Sequence, residues 1–281
     1  MSKPHAVRPA TIVSPAPGGP FPRNVASGVR FAAMIVDPYF YLAATVAVLI
    51  VGMAKGGFGG GIAVVGVPLM AMVVSPFQAA AVMLPILMVM DVLAMRAYRG
   101  RWDWRNLRIL LPAAMLGTLL GFATARAISA DGLRVLVAVV ALVYAVQYFR
   151  RRSSDRTRPP RTGPGVFWGA TAGFTSFSIH AGGPPLQAFL LPQRMHRTTF
   201  QATSVMFFFV VNWSKVGPYY WLGQWTTDNL LTSLVLLPLA PVGVFLGRYL
   251  HDRVDDELFF RVVHASLFVI GVKLLYDASG T

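Results

Sequence analysis

The sequence predicts an all-α polytopic membrane protein made of two inverted repeats, each a broken or re-entrant helix pair followed by three transmembrane helices. Three observations predict it. Only 13% of the 281 residues are charged and 55% are hydrophobic, where a soluble domain carries roughly 25% charged residues. Apolar runs of spanning length follow one another along the chain. Two glycine-rich breaks interrupt them at corresponding places of an internal repeat. The formal net charge is +14. The basic residues sit in short gaps between apolar runs, which suits a membrane protein facing anionic lipid rather than nucleic acid. There is no cysteine, so disulfides, thiolate metal sites and cysteine nucleophiles are excluded. The five histidines are scattered without a metal-ligand spacing.

The elements follow in order. Residues 1–38 form a basic, Pro/Gly-rich tail, read as a disordered arm; no long apolar region follows its early basic residues, unlike a signal peptide. The first repeat occupies 39–149. Its first run, 39–54, ends at Lys55, and Gly56–Gly61 interrupts before 62–74 resumes. Ser75-Pro76 breaks the chain again. The run 79–95 follows, then a basic loop at 96–108 and runs at 109–125 and 133–149. Residues 150–164 are the most basic stretch and read as a cytoplasmic linker. The second repeat occupies 165–277: a run at 165–179, a break at His180–Pro185, a short run at 186–192, and a basic loop at 194–197. Runs at 199–222, 229–247 and 258–276 complete it. The six runs outside the broken pairs are long enough to span. The pieces at the breaks are either half-helices that enter and return or short tilted spans. Irregular backbone at membrane depth is tolerated only when buried in protein or lining an aqueous cavity.

The repeat is visible in ordered matches. Phe77-Gln78-Ala79 matches Phe200-Gln201-Ala202, Gly100-Arg101-Trp102 matches Gly223-Gln224-Trp225, and Asn106 matches Asn229. Leu110-Leu111-Pro112 matches Leu236-Leu237-Pro238, and Gly117 and Gly121 match Gly243 and Gly247. A returning pair plus three crossings places the halves in opposite orientations. With the linker inside, the Arg-bearing loops 96–108, 194–197 and 248–253 are also inside. The loops 75–78 and 223–228, which carry no Lys or Arg, are outside. The same parity puts the basic N-terminal tail outside, against the charge rule.

The breaks supply chemistry. Gly57, Gly59, Gly60 and Gly61 allow close backbone approach to a ligand. A half-helix starting near Gly60 would present free N–H groups and a positive dipole end, a geometry that binds anions. Lys55 adds a full charge, or else snorkels to the headgroups. The second break repeats the pattern with Ser176, Ser178, His180, Gly182 and Gly183. Gln78 and Gln201 open the long span of each half. Asn212 and Lys215 lie inside the 199–222 run, where charge is costly unless it faces protein or water. Asp91, the only acid well inside a run, is a candidate for proton coupling with His180, or else pairs with Arg96 or Arg99. This supply of groups favours an anion.

At these residues the chain resembles the TauE/SafE family, also called the sulfite exporter or 4-toluene sulfonate uptake permease family. The resemblance rests on Gly56–Gly61 running into Val67-Pro68-Leu69 and on Gly182-Gly183-Pro184-Pro185-Leu186, and it covers about residues 40–277. It implies an inner-membrane permease of two homologous halves that moves sulfur-containing or carboxylate organic anions, such as sulfite, sulfoacetate or sulfonates. The expected partners are a small anionic substrate and the lipid bilayer, with no nucleic acid, metal or cofactor. The expected mechanism is alternating access around a midplane anion site by an ion-driven carrier. No Gly-x-x-x-x-Gly-Lys-Ser/Thr loop for nucleotide is present. The competing readings are a passive anion channel and an intramembrane enzyme using His180 with Ser176 or Ser178.

Overall fold

The computed structural model describes residues 35, 37–58, 62–150, 159–250 and 256–279. Nearly all of the N-terminal tail, most of the basic linker, and Gly59, Gly60 and Gly61 lie outside the described residues. All regular structure among the described residues is helical. The first half contains α1 (Pro38–Met53), a π turn at Ala54–Phe58, a 3-10 turn at Ile62–Val65, α2 (Gly66–Ala71), α3 (Pro76–Ala97), α4 (Trp104–Thr124) and α5 (Ala130–Arg150). The second contains α6 (Thr162–Ile179), α7 (Gly183–Leu190), a 3-10 turn at Leu191–Gln193, α8 (Arg197–Ser214), α9 (Val216–Trp221), α10 (Thr227–Leu236), α11 (Leu239–Leu250) and α12 (Asp256–Ala278).

Helix starts follow local capping chemistry. Asp37, Ser75, Asp103 and Thr226 each accept a backbone N–H of the first turn of α1, α3, α4 and α10, satisfying donors that have no partner within the helix. Pro38 and Pro76 follow their caps, where a missing N–H is harmless.

Among the described residues, four stretches are long and apolar enough to cross a membrane, Pro38–Gly57, Pro76–Ala97, Trp104–Thr124 and Ala130–Arg150, and the bent pair α10–α11 makes a fifth. The first of these was expected as a short piece; its π turn supplies the missing length. The run 199–222, expected as one span, is divided at Lys215 between α8 and α9. Pro218 lacks an N–H, and its ring opposes the carbonyl four residues back, at Ser214. The run 229–247 bends by 40° between α10 and α11, at the Leu237-Pro238 step. The repeat-matched Pro112 lies inside a continuous α4.

Glycine decides how the helices meet. α4 lies along α6, α1 along α11, α5 along α12, and α3 against α8. A Cβ at Gly117 would stand 1.9 Å from the carbonyl oxygen of Ala170, and one at Gly173 2.1 Å from that of Ala114. At the α1–α11 crossing, a Cβ at Gly247 would lie 2.4 Å from the oxygen of Met53, and one at Gly52 2.8 Å from the Cα of Gly243. Apolar helices in lipid associate through such close backbone approach. Both crossings therefore use the glycines that the repeat pairs, Gly117 with Gly243 and Gly121 with Gly247.

Candidate functional site: a buried two-lysine cluster

The ends of α1 and α6 approach α3 and α8, and the polar residues of all four meet in the core. Lys55 follows α1, in the π turn. Its ammonium pairs with the Oδ1 of Asp91 on α3. Asn212 on α8 donates from Nδ2 to the other carboxylate oxygen of Asp91 at 2.6 Å. The Oδ1 of Asn212 accepts from Lys215 Nζ at 2.8 Å. Lys215 also donates to the backbone oxygen of Ser176 at 2.7 Å and to its Oγ at 2.8 Å, and it faces His180 Nδ1 at 3.0 Å. Lys55, Asp91 and Lys215 are exposed by only 6%, 0% and 0%, so every charge here is withdrawn from water.

His180 ends α6 in the left-handed conformation at φ 53°, an uncommon backbone state for a side-chain-bearing residue. Its imidazole is held from both sides. Nδ1 faces an ammonium and so accepts, which places the ring proton on Nε2. Nε2 then donates to the backbone oxygen of Ala80 at 2.9 Å. Lys215 has four acceptors within hydrogen-bond reach for its three protons. Among the described residues no carboxylate touches it. Drawn with both lysines as ammoniums, the cluster holds two cations for one anion.

The first break is gripped by side chains. Gln201 on α8 donates to the backbone oxygens of Lys55 at 2.9 Å and Ala54 at 3.3 Å, and Tyr98 donates to that of Gly56 at 2.9 Å. The Oε1 of Gln201 is buried and has no hydrogen-bond partner among the described residues. Beside Lys55, Ser176, His180, Phe208 and Asn212 lies a cavity of about 20 Å³, room for roughly one water.

The structure thus gathers Lys55, Asp91, Ser176, His180, Asn212 and Lys215 into one cluster, with Gln201 beside it. Asp91 pairs with Lys55 and not with Arg96 or Arg99, which point outward and are exposed. Gly57 lies in the π turn. Gly182 and Gly183 begin α7, and Gly182 packs against Ser176 and Phe208. Two of the expected residues stand elsewhere. Ser178 donates to the carbonyl of Phe174 and lines a separate cavity with Phe77 and Tyr219. Gln78 reaches Asn229 at 3.4 Å. Sequence reasoning missed Tyr98 and Phe208, which carry no motif signal and are recruited by packing alone. It also missed Gln193, whose partner Asn106 was visible as half of a repeat match.

The family model for the sulfite exporter TauE/SafE matches residues 44–274, and the chain belongs to that family. It is therefore a multi-pass membrane protein of a transporter family. No curated protein and no solved structure matches it.

Proposed function

We propose that this chain is a secondary transporter of small organic or sulfur-containing anions, such as sulfite, sulfoacetate or sulfonates, across the inner membrane. It works by alternating access around an anion site between the two breaks. The observation that carries this reading is the charge of the buried cluster: Lys55 and Lys215 against Asp91 alone. An uncompensated buried cation costs several kcal/mol, so an arriving anion is stabilised by the charge it balances. Lys215 is the principal anion contact, with Ser176, His180 and Asn212 placing it and Lys55 adding field. The cavity of about 20 Å³ is too small for such an anion, so loading requires the halves to part.

The arrangement supports two inverted repeats at 39–149 and 165–277. Helix α4 of the first half lies along α6 of the second, while α11 of the second lies along α1 of the first. Asp91 and Asn212 each lie fifteen residues on from the first residue of their own helix. That equal offset supports reading α3 and α8 as equivalent members of the two repeats, with the anion site at their contact. Asp91 and His180 are the titratable groups at hand for coupling to a proton gradient. Both ring nitrogens of His180 are engaged, by Lys215 and by Ala80. That leaves none to activate a serine and argues against the enzyme reading.

Counterflow in proteoliposomes tests this with labelled sulfite, sulfoacetate, a sulfonate and a carboxylate. Saturable, trans-stimulated flux is expected for at least one of them, and Lys215→Met should lower it at least tenfold with the protein still monodisperse. Non-saturable flux would identify a channel, and turnover without flux an enzyme.

A further inference from the structure

Two asparagine–glutamine pairs join the halves at opposite ends of the bundle. At one end, Asn106 in the first turn of α4 donates from Nδ2 to Gln193 Oε1 at 3.0 Å, and Gln193 Nε2 donates back to Asn106 Oδ1 at 3.0 Å. The amide N–H of Asp103, one turn away, donates to Thr203 Oγ1 on α8 at 2.9 Å. At the other end, Gln78 in the first turn of α3 donates from Nε2 to Asn229 Oδ1 in the first turn of α10, at 3.4 Å. Ser233, one turn further along α10, donates to the backbone oxygen of Val82 at 2.8 Å. Each pair links an asparagine of one half to a glutamine of the other. The two asparagines are repeat-matched; the glutamines are not, so geometry and not sequence supplies their equivalence.

The pairs are far apart. Gln78 lies in the first turn of α3, whose 22 residues span about 33 Å at about 1.5 Å per residue, and Asn106 follows nine residues beyond its last residue, Ala97. The polar cluster lies between them. With the Arg-bearing loops inside, Asn106–Gln193 is at the cytoplasmic end and Gln78–Asn229 at the external end.

We propose that Asn106–Gln193 is the inner latch and Gln78–Asn229 the outer latch of the transport cycle, each closing one path to the two-lysine cluster. This rests on the alternating-access reading. A neutral amide pair suits a latch. It gives direction and register through two hydrogen bonds, and on opening it is satisfied by water at low net cost, since a hydrogen bond exchanged with water is worth only ~1 kcal/mol. A salt bridge in the same place would shift with the charge of the passing anion. The latches are unequal. The inner one is a reciprocal pair whose Asn106 Nδ2 also donates to Asp103 Oδ2 at 3.0 Å, whereas the outer one is a single long bond, with Asn229 Nδ2 donating instead to the backbone oxygen of Gln224 at 2.9 Å. The unloaded protein therefore opens outward more readily than inward.

The absence of native cysteine permits a direct test. Ala63 lines the cavity beside Lys55 and His180, and Ala63→Cys places one thiol there. Its reaction with a membrane-impermeant maleimide is followed in vesicles of each orientation. Gln193→Ala should raise labelling from the cytoplasmic face by about tenfold, and Asn229→Ala should raise it from the external face by about threefold. Asn106→Ala removes the same inner pair from its other side and must act as Gln193→Ala does. Exchanging the residues, Asn106→Gln with Gln193→Asn, should restore the parent pattern, which separates a latch from general loosening. Labelling that rises from the same face for both ends, from both faces at once, or not at all overturns the latches. Anion flux is measured in parallel on chains without the reporter thiol. Opposite shifts in labelling without flux of any tested anion leave the latches standing and remove the transport reading; saturable flux with unshifted labelling does the reverse.

Discussion

The two halves of the chain bring different charge to the buried cluster. In the first, the lysine at the end of α1 is neutralised within its own half, Lys55 by Asp91. In the second, the corresponding end of α6 carries Ser176 and His180, and the lysine arrives from the end of α8 with only neutral partners. Asn212 joins the two by donating to Asp91 and accepting from Lys215. A structure with matched crossings therefore contains an unmatched charge. In the proposed transporter the arriving anion would balance Lys215, and the pairing of Lys55 with Asp91 keeps the burial cost from doubling.

The largest test of this difference is Asp91→Leu. It leaves Lys55 buried without its partner, which costs about 3–5 kcal/mol, whereas Lys215→Met removes a charge that had no counterion. Thermal unfolding in detergent should show a lower midpoint for Asp91→Leu than for Lys215→Met. Adding Lys55→Met to Asp91→Leu should recover most of the loss. Equal midpoints for the two single variants would mean that the halves are electrostatically alike.

A smaller effect separates the two glycine crossings. A methyl at Gly117 would meet a backbone oxygen at 1.9 Å, while one at Gly243 would meet Gly52 Cα at 3.0 Å. Gly117→Ala should cost roughly 2–3 kcal/mol and Gly243→Ala about 1 kcal/mol, read by the same unfolding measurement. The reverse order would show that α1–α11 is the stiffer crossing.

The smallest effect concerns the matched prolines. α4 packs on α6 on both sides of Pro112, through Ile109 and Leu110 before it and Gly117 after it. That contact holds α4 straight. α10 instead bonds to α3 through Ser233, while α11 crosses α1 at Gly243 and Gly247, so the bend at Pro238 redirects the chain from one neighbour to another. Pro238→Ala should then change stability by less than ~1 kcal/mol and keep most of the 40° bend. Spin labels at the exposed positions Leu230 and Phe245 would report it. A straightened helix would assign the bend to proline alone.

Much was legible in the sequence because it depends on one segment at a time. Apolar length places α3, α4 and α5, and the Ser75-Pro76 break marks the start of α3. The breaks after α1 and α6 show in their glycine and proline content. Pro218 carried the signal for the interruption at Lys215, although the run was read as continuous. The family was legible too, from the paired glycine motifs. The charge partners were not. Asp91 had arginines close by in sequence, yet its buried face points to Lys55, thirty-six residues away.

The sequence alone determined that the chain spans a membrane, that it is helical, and that matched segments recur. Each follows from hydropathy, from backbone satisfaction in lipid and from local residue order. Only the tertiary structure decided which lysine is neutralised, which proline bends a helix, and which glutamine each matched asparagine meets. Those outcomes depend on which buried face meets which neighbour, a relation between distant segments that no local pattern encodes.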